Sequence, residues 1–91
     1  MREPTVVLHH DDYPESDITV VHGLRCTTAV RTVIDIAAEL RRDELETVMD
    51  DSLDRGLFTI DEMSSRLAEP DMARRQGARI LRACIAGRLR Q

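Results

Sequence analysis

Chain breakers and helix caps divide this sequence into short patterned segments, and none of them is long enough to fold alone. Val6, Val7 and Leu8 make Thr5 to His10 read as a strand. Asp11 to Ser16 follow as a polar connection that Pro14 keeps out of regular structure. Asp17 to His22, with Ile18, Val20 and Val21 apolar, reads as a second strand that Gly23 breaks. Leu24 to Cys26 is a short third. A hairpin or meander of this size is marginal by itself, so it must pack on helices.

The rest of the chain has helical spacing. Thr27 or Thr28 offers a hydroxyl to cap a helix running to Glu39 or Leu40, with Val30, Val33, Ile34, Ala37 and Ala38 on one stripe. Within it, Arg31 and Asp35 stand four apart and can pair. Arg41 and Arg42 read as cations closing that helix at its negative end. A second helix over Asp43 to Arg55 carries Leu45, Val48, Met49 and Leu53, and Gly56 stops it by accepting positive φ. Thr59 and Glu62 match a capping box for a short helix with Ile60, Met63 and Leu67, which Pro70 ends. A last helix is expected from Met72 to Leu89, with Ile80, Leu81, Cys84 and Ile85 on one side and Arg74, Arg75, Arg79 and Arg82 on another.

These stripes predict one α+β domain over residues 1–91. A small antiparallel β hairpin or meander at the N-terminus packs on three to four helices around one shared interior, with nothing facing inward to drive a reaction. A chain of this length buries only about 60–65% of its unfolded surface, which leaves little room for a deep cleft. Its stability margin is therefore about 5 kcal/mol, and dimerisation would supplement it. No apolar run approaches the roughly 18 residues that a membrane span needs. Cys26 and Cys84 lie far apart without CxxC spacing, so the expected setting is a reducing cytoplasm with free thiols.

The inventory gives little chemistry. His9, His10, Asp11 and Asp12, with His22 on a neighbouring strand, form the one metal-like cluster. Adjacent strand residues point to opposite faces, so His9 and His10 cannot both face His22. A thiol nucleophile needs a paired His. Gly23 separates His22 from Cys26, and Cys84 falls on an apolar helix stripe. No phosphate-binding glycine loop is present. The reading is no enzyme, no cofactor and no metal.

What remains is charge. All thirteen basic residues are Arg and the net charge is −4, so only a local patch could meet a polyanion. Arg75, Arg79 and Arg82, three and four apart, share a helix face, with Arg74 beside it; in an acidic chain it reads first as a solvated amphipathic face and second as one that could meet phosphates. Tyr13 and Phe58 are the only aromatics, too few for a base-stacking platform.

The segment from Asp17 to Ala38, DITVVHGLRCTTAVRTVIDIAA, resembles the D-[VI]-T-x-x-x-G-L-x-x-T-[ST]-x-x-R-T-[LV]-x-D-[LI]-A pattern of AbiEi-type antitoxin-like proteins of actinobacteria. Val48 to Thr59 resembles that family's helix followed by an R-G-L-x-T turn. Asp61, Glu62, Leu67 and the stretch Gly77 to Arg82 continue the likeness, which covers residues 6–86. Ala29 stands where relatives often carry Pro, a change the first helical turn tolerates.

In that family such a segment lies between a winged helix and a nuclease-like domain. Neither flank is legible in this sequence, and a chain without Lys cannot supply a D…ExK nuclease centre. The resemblance implies an antitoxin-like or transcriptional-regulator module that binds a protein partner, a cognate toxin, or supports DNA binding. The alternative expectation is a truncated remnant of a longer regulator. Within the matched pattern, Gly23 turns the chain, Thr28 caps, and Arg31 and Asp35 tie the first helix to the sheet; Gly56 ends the second helix.

Overall fold

The computed structural model describes residues 13–89, and the strand expected over Thr5 to His10 lies outside them. A 3-10 turn over Glu15–Asp17 leads into β1 (Ile18–Val21), which pairs antiparallel with β2 (Leu24–Thr27) in the register Ile18 to Thr27 and Val21 to Leu24. The two-residue connection has φ 52° at His22 and 79° at Gly23. Both values are positive, as a tight hairpin matching strand twist requires. Gly23 takes this conformation without a Cβ penalty, and His belongs to the residue types that reach it most often.

Four α-helices follow: α1 (Ala29–Ala37), α2 (Arg42–Asp54), α3 (Ile60–Leu67) and α4 (Gln76–Leu89). The architecture is α+β, a hairpin followed by a helical body. Thr28 caps α1 by accepting the Arg31 N–H (3.2 Å). Thr59 accepts the Glu62 N–H (3.0 Å) while Glu62 accepts the Thr59 N–H (2.8 Å), so α3 opens with a full capping box. Gly56, at φ 70°, ends α2.

The helical stripes meet in one core. Val33, Ile34 and Ala37 of α1 and Leu45 and Met49 of α2 are buried with Met63 and Leu67 of α3, Ala78, Leu81, Cys84 and Ile85 of α4, and the connecting Phe58 and Met72. Among the helix pairs, α1 and α4 pack most extensively. A β-carbon at Gly77 would overlap the Ile34 carbonyl oxygen, so this crossing requires glycine.

Several boundaries differ from the sequence expectation. Helix α1 stops at Ala37, and its end tightens into bonds from Glu39 N to Ile36 O (2.9 Å) and Leu40 N to Ala37 O (3.4 Å). Arg41 and Arg42 do not close it. They start α2, where Arg41 is the N-cap, its N–H donates to Glu44 (2.9 Å), and Arg42 pairs with Glu46 (3.0 Å). Arginine carries no side-chain acceptor, so it does not read as a cap; the acidic pair Asp43 and Glu44 meets the positive helix end instead. The last helix begins at Gln76 rather than Met72, because residues Pro70–Met72 form a separate 3-10 turn that buries Met72. Three polar side chains are also buried, Asp17, Arg31 and Ser52.

Candidate functional site

Asp17 is the last residue before β1 and only 1% exposed, so an ionised carboxylate there must be fully satisfied. Arg66 of α3 donates from Nε to one oxygen (2.8 Å) and from Nη2 to the other (2.8 Å). Arg31 of α1 donates from Nη1 to the second oxygen (2.7 Å). The network extends outward: Arg31 Nε donates to Asp35 (2.8 Å), and Arg66 donates to Glu69 (2.6 Å) and to both oxygens of Asp71 (2.8 Å each). The Tyr13 ring lies 4.5 Å from the Arg31 guanidinium carbon, within cation–π range. Backbone closes the same junction, since Thr28 N–H donates to Asp17 O (2.8 Å).

Burial by itself would push the Asp17 carboxyl up. The hydrogen bonds and charges of Arg66 and Arg31 outweigh that penalty and hold it below the ordinary carboxylate range. Hydrogen bonds from Arg66 hold Asp71 down at about 2. These ionisable groups converge on each other, and the depressions beside them, lined by Ser16, Glu62 and Arg66, are open.

A second network ties α2 to α4. Arg88 donates to Glu46 (2.9 Å) and Asp50 (2.8 Å), and the Cys84 thiol lies 3.5 Å from Glu46. Burial raises the Cys84 thiol, which is the wrong direction for a nucleophile. His22 sits exposed in the hairpin turn, while Cys26 is half-buried on β2 opposite Thr19. Among the described residues, no three His, Cys, Asp or Glu side chains group to hold a metal ion. His9, His10, Asp11 and Asp12 lie outside the described residues.

The arginines divide into two sets. Arg25, Arg31, Arg41, Arg42, Arg55, Arg66 and Arg88 each reach a carboxylate. Arg82 reaches the carbonyls of Leu67 (3.1 Å) and Met72 (3.3 Å), closing the end of α3 and the 3-10 turn after it. Arg74 and Arg75 just before α4, and Arg79 in its first turn, are exposed and have no such partner among the described residues. The face expected from Arg75, Arg79 and Arg82 is thus divided between solvent-facing charge and a structural tie.

Sequence reasoning missed the central role of Asp17 and the part played by Arg66. Only Arg31 and Asp35, four apart on one helix, had a local signal; Arg66 is 49 positions from Asp17. Beside Arg82, Ser64, Leu67, Ala68, Ile85 and Ala86 line an apolar groove between α3 and α4 that no periodicity marks. Among the described residues, no helix is long and apolar enough to cross a membrane. No family model, curated protein or solved structure matches this chain.

Proposed function

We propose that this chain is a non-catalytic, antitoxin-like or regulatory interaction module of the AbiEi type, which acts by binding a macromolecular partner at the start of α4. One observation carries the reading. In a chain of net charge −4, the described arginines are neutralised by carboxylates or tied to carbonyls everywhere except at Arg74, Arg75 and Arg79, which adjoin one another. Uncompensated like charges on one short segment repel each other, and an acidic partner relieves that repulsion and is steered to it.

A non-catalytic role agrees with the direction of the titrations. A general acid or base works best with its pKa near the operating pH. Asp17 and Asp71 are held below the usual carboxylate range, and Cys84 is raised by burial. The resemblance over Asp17 to Ala38 supports the antitoxin-like class, and the Asp17–Arg31–Asp35 ion chain joins three positions of that pattern.

The test is a pull-down of the tagged chain from native cells, run beside a promoter-shift assay at low salt. The expected result is a protein partner, or a DNA shift, that the Arg74→Ala/Arg75→Ala/Arg79→Ala variant loses. Absence of both with the wild-type chain overturns the reading.

A further inference from the structure

The reading of the chain as an interaction module leaves the partner's chemistry open, and the groove beside the free arginines narrows it. Resting on that reading, we propose that the docking site is composite. It takes an amphipathic helix of a partner protein, with acidic residues meeting Arg75 and Arg79 and an aliphatic side chain seated between α3 and α4.

The groove has an apolar floor, Leu67 and Ile85, each nearly buried. Its walls are small: Ser64 and Ala68 stand four apart on one side, and Ala86 stands four from Arg82 on the other. Residues four apart lie above one another on a helix, so both walls run along the helix direction. Small walls let an incoming backbone approach closely. The volume is about 280 Å³, at the small end of the roughly 300–1,000 Å³ range of ligand pockets. That is room for one or two aliphatic side chains.

Charge identifies the other half of the occupant. From Ala86 back to Arg79 along α4 is about 10 Å at 1.5 Å per residue, two turns of the helix face. Arg75 precedes the helix one turn further on. Arg82 lies between the apolar and cationic halves, already turned onto the Leu67 and Met72 carbonyls. A nucleic acid would use the arginines and leave the apolar groove wet. A purely apolar partner would fill the groove and leave the arginines unopposed. A helix bearing Asp or Glu in one turn and Leu or Met two turns away uses both.

The probe is a synthetic helical peptide of about 15 residues, four turns, with two Glu one turn apart and a Leu two turns on, all on one face. Titration into the isotope-labelled full chain is followed by amide chemical shifts. Shifts should concentrate at Ser64, Ala68, Ala86 and residues 75–79. Affinity should fall about tenfold or more when the Leu is moved to the opposite peptide face, when Glu is replaced by Lys, in Ala86→Glu, and in Arg75→Ala/Arg79→Ala. Ala86 is exposed, so Ala86→Glu should keep the wild-type circular dichroism. Shifts confined to the hairpin, an unaffected Ala86→Glu variant, or a DNA duplex perturbing the same amides at lower concentration would overturn the proposal. The two readings fail separately. A native partner captured undiminished by Ala86→Glu overturns the groove and leaves the interaction module standing. A wild-type chain that captures no partner and shifts no promoter overturns both.

Discussion

The hairpin and the helical body contain similar apolar side chains but are held by different forces. In the body, Leu45, Met49, Met63 and Leu81 are fully buried. On the hairpin, Val20, Val21 and Leu24 are 59%, 49% and 71% exposed. No residue of β1 or β2 is fully buried. Among the described residues, the contacts at the base of the hairpin are polar: the Asp17 ion cluster, the Thr28 N–H on Asp17 O, and the hydroxyl pair Thr27–Thr32 at 2.8 Å. Apolar area stabilises the body, and a buried carboxylate positions the arm.

Substitution can break that contrast at its strongest point. Asp17→Ala leaves Arg31 buried with only Asp35 opposite it, and removing one partner of a buried ion pair costs about 3–5 kcal/mol. That loss rivals the whole margin of the chain. Urea unfolding should show it, and amide exchange across residues 18–27 should accelerate more than in α4. Equal acceleration in both regions would show that the clamp does not single out the hairpin.

Acid reaches the same clamp reversibly. Asp17 and Asp71 have folded values below their unfolded ones, so between the two values the unfolded chain binds more protons. Their contribution is complete above the ordinary carboxylate range and is lost as pH falls, for Asp71 through about 2. Stability measured from pH 6 down to acid should fall in the wild type and fall less in Asp17→Asn, whose clamp is already broken. Parallel curves would detach these groups from the acid response.

In the body, Leu45→Ala should cost about 3 kcal/mol through lost burial and the cavity left behind. Unlike the loss in Asp17→Ala, this one should not vary with pH. Gly77→Ala sets two effects against each other. Helix propensity favours Ala by about 1 kcal/mol. The new β-carbon, however, would meet the Ile34 carbonyl, and overpacking typically costs 1–3 kcal/mol. With backbone as the obstacle, the clash should win by up to about 2 kcal/mol, read as a lowered thermal midpoint. The smallest effect belongs to the hairpin tip. Leu24→Ser should change stability by less than about 0.5 kcal/mol, because an exposed side chain loses little. A large loss there would mean that the hairpin face is covered in solution.

Features governed by near neighbours were legible in the sequence. The Thr59–Glu62 box, the Thr28 cap, the positive φ of Gly23 and Gly56, and the Arg31–Asp35 pair all act within about one helical turn or one tight connection. Arg41 shows the limit, since an arginine flanked by two helices can belong to the end of one or the start of the next. The candidate site was half legible. Periodicity put Arg75, Arg79 and Arg82 on one face, but it could not show that Arg82 folds over the end of α3.

The sequence by itself determined the order, period and phase of the described elements, because backbone sterics, capping and burial stripes are set by residues a few positions apart. Tertiary structure alone decided that Asp17 meets Arg66, that Glu46 meets Arg88, and that Gly77 lies against Ile34. Those meetings depend on which helix faces which, and that choice follows from filling one small core. The same packing determines which of the described arginines are neutralised and which stay exposed.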